Sequence, residues 1–275
     1  MAAKKTSPPK DPRAKSGKQP MAPPVPTLAR LAKIHPDWHC ELDHENAFQL
    51  IVATVLSAQT TDVNVNKATP KLFAAYPDAH ALAAADPTAV EPLVSTLGFF
   101  RMKAKSIVGL AKKLVEDHGG EVPQSLDALV KLPGVGRKTA NVVLGVMWNT
   151  PEGVVVDTHV MRLSQRLGWT KHDEPIAIEQ DLMKAIPRED WNPTSHILIF
   201  HGRRICFAKK PNCEGCGIND ICPSAFRAEL VGRKPPRPPL AEHMAKSVAK
   251  KTAPKKTTGA KKATGAKKKP KRAAT

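Results

Sequence analysis

Four cysteines within seventeen positions, Cys206-x6-Cys213-x2-Cys216-x5-Cys222, constrain this chain more than any other feature. They put four soft thiolate donors in one short loop, and Pro211, Gly215, Gly217 and Pro223 supply the turns that let the sulfurs converge on a metal. Tetrahedral zinc and an iron–sulfur cube both take four thiolates, so spacing leaves both open. One tight x2 pair with wider intervals nonetheless suits the corners of a larger cluster better than a ribbon with two close pairs. Cys40 stands apart beside an apolar stretch and is expected to be an ordinary buried small residue.

The formal net charge of +18 sits at the ends: residues 1–27 carry +5, residues 233–275 carry +14, and residues 28–232 carry −1. The first segment holds seven prolines and little that could pack, so ordering it would cost chain entropy without offsetting burial. The last reads RKPPRPP and then KKTTGAKKATGAKKKPKR, a polycation with no hydrophobic period. Both are expected to be disordered basic tails around a folded core at 28–232. No run of about 18 apolar residues could span a bilayer, and no apolar leader opens the chain. A protein inside the cell with no membrane partner is expected.

Within the core the apolar residues recur at helical spacing. Phe48, Ile51, Val52, Val55 and Leu56 make one stripe, and Ile107, Leu110, Ala111, Leu114 and Val115 another. Further helices are expected at 28–35, 62–75, 88–97, 125–131, 138–147, 158–167, 175–185 and 193–205, punctuated by Pro, Gly and Asp. The only strand-like run, Val154–Val156, is too short for a sheet, so the fold class is all-α.

In LPGVGRKTANVVLG, Leu129, Val130 and Leu132 end one helical pattern, Pro133, Gly134, Val135 and Gly136 turn the chain, and Lys138 opens the next helix. This is a helix-hairpin-helix over about 125–147. Its glycines expose main-chain N–H groups at a helix start, where an anion such as a DNA phosphate is favoured. A nucleotide-binding loop fails, because Arg137 stands where that motif needs Gly before Lys-Thr, and no strand precedes it. A plain interhelical turn stays open.

An ammonium in the first turn of a helix is electrostatically misplaced, which marks Lys138 as a candidate amine nucleophile, with a surface lysine as the plainer reading. Asp157 follows Val154–Val156 and precedes a helix with Val160, Leu163 and Leu167 on one face, so it reads as an N-cap. A capping carboxylate is also held rigidly enough to stabilise a developing oxocarbenium ion. The helix from Lys138 travels roughly 15 Å, and the nine residues before Asp157 can span up to about 30 Å. The two helix mouths can therefore face one cleft.

These segments carry a resemblance. VLSAQTTD (55–62), LGFFRMKA (97–104), GEVP (120–123), LPGVGRKTANVVL (132–144), VDTHVMRL (156–163), FHGRRIC (200–206) and the four-cysteine loop, in order over roughly residues 28–225, resemble the endonuclease III family. Its members are bifunctional DNA glycosylases and AP lyases of the helix-hairpin-helix superfamily. The resemblance implies two helical subdomains flanking a cleft, with the chain's start and the cysteine loop in one and the hairpin in the other. It also implies a [4Fe–4S] cluster on Cys206, Cys213, Cys216 and Cys222, with Lys138 as the nucleophile and Asp157 as the essential carboxylate. Gln59 would fill the gap left by an extruded base, Phe99 would act as an apolar wedge, and His159 would be a cleft histidine. Gly134, Val135, Gly136 and Arg137 of the hairpin, and Arg203 with Arg204, Lys209 and Lys210 of the cysteine loop, would contact DNA. A bulky Phe99 followed by Phe100 departs from the family's usual wedge.

The implied activity is excision of oxidised pyrimidines from double-stranded DNA and nicking at abasic sites, by a monomer in the cytoplasm associated with the nucleoid. An adenine-mismatch glycosylase shares the hairpin, aspartate and cluster, but lacks the lysine and adds a large C-terminal domain. A non-catalytic DNA-compacting protein would account for the tail alone.

Overall fold

The computed structural model describes residues 21–231. The expected basic tails lie outside the described residues, apart from positions 21–27. There the chain is already folded: helix α1 spans Pro24–Ile34, Ala22 and Thr27 are wholly buried, and Trp169 Nε1 donates to the Ala22 carbonyl at 2.8 Å. Prolines that read as coil open this helix, because the first helical position needs no N–H donor and already wants the φ that proline imposes.

The remaining helices are α2 (Ala47–Leu56), α3 (Asp62–Ala75), α4 (Ala79–Ala83), α5 (Pro87–Val94), α6 (Phe100–His118), α7 (Leu126–Leu129), α8 (Arg137–Trp148), α9 (Thr158–Arg166), α10 (Pro175–Ala185) and α11 (Trp191–Arg204). Val154–Val156 is buried and in no regular element, and no strand occurs among the described residues.

Two hydrophobic cores divide the chain. The first gathers α2 through α8 around α2, whose Leu50, Ile51, Val52 and Ala53 are fully buried. Each of the larger side chains contributes about 1.5–3 kcal/mol by leaving water. Local chemistry starts this helix reciprocally: Asn46 Oδ1 accepts from Gln49 N at 2.9 Å, and Gln49 Oε1 accepts from Glu45 N at 2.9 Å.

The second core gathers α1 and α9 through α11 with the segment after α11. The chain's start and its cysteine loop therefore share one lobe. Arg30 clasps both Asp220 carboxylate oxygens, at 2.9 and 2.8 Å, and the Gly217 carbonyl at 2.5 Å. Polar contacts join the lobes: Arg137 reaches Glu179 of α10 at 3.0 Å, and Asn192 Nδ2 donates to the Gly145 carbonyl at 3.0 Å.

Candidate active site and metal centre

The hairpin positions Lys138. Gly134 adopts φ +78°, and a Cβ there would press on Val55 at 3.1 Å, so strain and space both select glycine. Val135, one of the hairpin residues expected to contact DNA, turns its side chain into the first core at 5% exposure. It can offer only main chain at the surface. Gly136 caps α8, and Lys138 stands in the first turn with an exposed side chain.

Asp157 is the N-cap of α9, as its position in the sequence predicts. Its Oδ1 accepts from both His159 N and Val160 N at 2.8 Å. Lys138 and Asp157 line the same cleft, of about 130 Å³, between the lobes.

The cleft also holds groups that the motifs did not single out. Asp62, in the first turn of α3, has its carboxyl pushed up by burial and by Asp157, against the opposing pull of Lys138. Arg203 pairs with Asp62 at 2.8 Å and with Glu41, so this arginine closes one wall of the cleft. It was expected on the cysteine loop as a phosphate contact, but the last turn of α11 carries it, and two carboxylates engage it. Arg204 is likewise on α11, bound to Asp37 and lying over the Phe200 ring. Arg137 is held by Glu179 and the Glu152 carbonyl. Lys209 and Lys210 remain exposed on the loop. Cys40 is not simply core: it lines the cleft, and burial pushes its thiol up. Asp62 closes the quoted VLSAQTTD segment at a predicted helix start, which is the signal that could have found it.

His159 does not line the cleft. It packs beside Gly202, with Nδ1 3.1 Å from Arg162 Nη2, and burial depresses its pKa. Arg162 also donates to the Gly202 and Cys206 carbonyls, so the residues behind Asp157 lean on the start of the cysteine loop.

Gln59 and Phe99 meet elsewhere, around a second depression of about 220 Å³ that also includes Gly134. Both adopt left-handed backbone, φ +55° and +58°, which costs a non-glycine residue about 1 kcal/mol or more. Phe99 and Met102 are exposed at 65% and 69%. Lys103 donates to Thr60 Oγ1 at 2.6 Å and tethers the Gln59 turn to α6.

His196 on α11 completes the cleft. Its ring stacks on Trp38, centroids 6.1 Å apart at 18°, and burial lowers its pKa to about 4. A histidine depressed on folding adds stability above its unfolded pKa and loses it as pH falls through the folded one. Stability is therefore expected to fall by about 3 kcal/mol from this group between pH 6.5 and pH 4. Urea titrations across that range check this, and His196→Gln should flatten the profile.

Cys206, Cys213, Cys216 and Cys222 together line one cavity of about 30 Å³. Burial, then the neighbouring cysteines, pushes the thiols of Cys216 and Cys222 up to about 11 and 12. Metal must displace those protons on loading. The buried Arg166 organises the loop: Nη1 donates to Cys206 Sγ at 3.2 Å and to the Phe207 carbonyl at 2.8 Å, while Nε reaches the Val231 carbonyl at 3.1 Å. His201 Nε2 lies 3.6 Å from Cys216 Sγ. Four sulfurs around one cavity, with an arginine on a sulfur, fit an iron–sulfur cube held by these residues.

Comparison with known proteins agrees. Residues 52–188 match the HhH-GPD superfamily base excision DNA repair protein model, and residues 206–222 match the iron-sulfur binding domain of endonuclease III. Endonuclease III of Synechocystis sp. is 55% identical over 198 residues, covering 72% of this chain and 90% of that protein. That of Bacillus subtilis is 45% identical, covering 74% and 94%. A solved trapped endonuclease III–DNA covalent intermediate is 46% identical with a TM-score of 0.67, covering 71% of this chain and 92% of that one. With its hairpin, its cleft and its four-cysteine loop all accounted for, the chain belongs to the endonuclease III family of base excision repair enzymes, bifunctional DNA glycosylases and abasic-site lyases with a [4Fe–4S] cluster.

Proposed function

We propose that this enzyme acts as a monomer on oxidised pyrimidines and abasic sites in double-stranded DNA, with Lys138 as nucleophile and Asp157 as its electrostatic partner. The observation that carries the reading is that both residues, each at a helix start, line one cleft. A stacked base cannot be attacked, so the nucleotide must leave the duplex, at a cost that damage lowers. The exposed Phe99 and the strained Gln59, together around a separate depression beside the hairpin, suit the gap left behind.

The Lys138 amine attacks C1′. A C–N bond forms to the lysine, the glycosidic bond breaks, and the base departs with the bonding pair and takes up a proton. Asp157 stabilises positive charge on the sugar and assists loss of the ammonium proton. Opening of the sugar ring gives a Schiff base, and loss of a C2′ proton then expels the 3′ phosphate oxygen, nicking the strand. Cys206, Cys213, Cys216 and Cys222 would hold the cluster, which when bound ties the loop together rather than joining this chemistry. Duplexes carrying an oxidised pyrimidine, incubated with the protein and borohydride, test the reading: a covalent adduct supports it, and intact DNA binding without an adduct favours a compacting role.

Asp157→Asn separates capping from chemistry. Asparagine caps about as well as aspartate, so stability should stay within about 0.5 kcal/mol. Base release should fall by about 10²–10³-fold. Equal losses in melting temperature and rate would assign Asp157 to the fold alone.

The basic tails, read from sequence, would add sequence-independent affinity and association with the nucleoid. Each neutralised phosphate adds about 0.9 to the slope of log affinity against log salt. Removing residues 233–275 should flatten that slope by several units in fluorescence titrations, and an unchanged slope would show that the tail does not touch DNA.

A further inference from the structure

Two histidines meet in the interior of the second lobe, and neither lines the catalytic cleft. His35 ends α1 and His201 stands in the last turn of α11, each only 2% exposed. His35 Nε2 lies 3.0 Å from His201 Nδ1, the rings edge to face with centroids 5.3 Å apart, and His201 Nε2 lies 3.6 Å from Cys216 Sγ. Both nitrogens of His201 are therefore engaged, one by a ring and one by a sulfur. Its carbonyl holds the loop as well, accepting from Ile205 N at 3.0 Å and from Cys206 N at 2.8 Å.

The chemistry of the sulfur decides which atom carries each hydrogen. A cysteine bound to a cluster has given up its proton and can only accept, so His201 Nε2 must donate. A charged ring at this depth would carry a heavy desolvation cost, so the ring keeps one hydrogen and its Nδ1 accepts. His35 Nε2 must then donate to it. The two rings thus run in one direction, from the end of α1 to the sulfur. An N–H aimed at a sulfur draws electron density from it and favours the more reduced cluster, which is how hydrogen bonds help set a cluster's potential. Arg166 reaches Cys206 Sγ in the same manner, but a guanidinium has no tautomer to fix, whereas an imidazole needs a partner to hold its hydrogen on the useful nitrogen.

We infer that His201 donates a potential-setting hydrogen bond to the Cys216 sulfur, and that His35 is the positioning residue that fixes the tautomer of His201. The inference rests on the reading that Cys216 holds the cluster. It gives the first helix of the folded chain a second hold on the cysteine loop, deeper than the clasp of Arg30 on Asp220.

Voltammetry of the full holoprotein tests this. His201→Leu removes the donor without removing a charge, and should lower the reduction potential by about 59 mV, the equivalent of a tenfold change in a one-electron couple. His201→Gln, which retains an N–H donor, should recover part of the shift. His35→Leu should move the potential in the same direction by less, and His35→Gln should restore it. An unmoved potential in a cluster-loaded His201→Leu would overturn the inference, and a shift there with none in His35→Leu would overturn the role of His35. Should His201→Leu fail to load a cluster, the His35 pair decides, since His35 touches no sulfur: a lowered potential in His35→Leu restored in His35→Gln supports the relay, and no shift overturns it. Cys216→Ser that keeps the wild-type absorbance and potential would instead overturn the reading of Cys216 as a ligand, a distinguishable result.

Discussion

Lys138→Ala is expected to abolish borohydride capture of the protein on abasic DNA and to slow nicking by about 10⁴-fold or more, since removing a covalent nucleophile removes the pathway rather than tuning it. The fold should not register the change. Lys138 is exposed, and the cap of α8 is the backbone of Gly136, so no core contact or cap is lost. Lys103 provides the control. Burial disfavours the charged form of this second amine, which is hydrogen-bonded to Thr60 beside the second depression, away from Asp157. Lys103→Ala should loosen the Gln59 turn and weaken DNA binding, yet still give an adduct. Trapping that survives Lys138→Ala and disappears with Lys103→Ala would move the nucleophile to the other depression.

The second large effect is expected at the cysteines. Cys213→Ser should yield colourless protein that has lost at least about 4 kcal/mol of stability, the scale reserved for losing a metal or a buried network. The reason lies in how the loop is held. Between α11 and Val231 it has only turns and one short 3-10 segment, Ala228–Leu230, and Arg166 spends its guanidinium on carbonyls and a sulfur of that segment. Without the cluster, buried Arg166 faces a loop free to leave it, and a buried cation deserted by its partners is costly. Visible absorbance with urea denaturation checks both parts. Full stability in a colourless variant would show that the loop folds on Arg166 alone.

The helical body was legible because its stripes are long and its breaks strong. Asp62–Ala75 and Pro175–Ala185 have the ends that the pattern predicts. The start of α1 was not legible, since Pro23 and Pro24 belong equally to a coil and to a helix mouth, and burial against Trp169 decides between them. At the site, Asp157 was legible as a cap because capping is local. The salt bridges of Arg137 and Arg203 were not legible, because their carboxylate partners lie 42 and 141 positions away. The inward side chain of Val135 was not legible, because only the packing of the first core reveals which part of the hairpin faces outward. His196 had no signal at all: one histidine in a helix gives no hint that it stacks on Trp38 beside a cleft.

The clasp of Arg30 on Asp220, 190 positions apart, has a consequence for synthesis. The α2–α8 lobe is contiguous in the chain and can close while the ribosome is still working. The other lobe must keep its first helix waiting until the final loop emerges. The cleft needs both, so the nascent chain has no working catalytic mouth until the loop that holds Asp220 has been translated and tied.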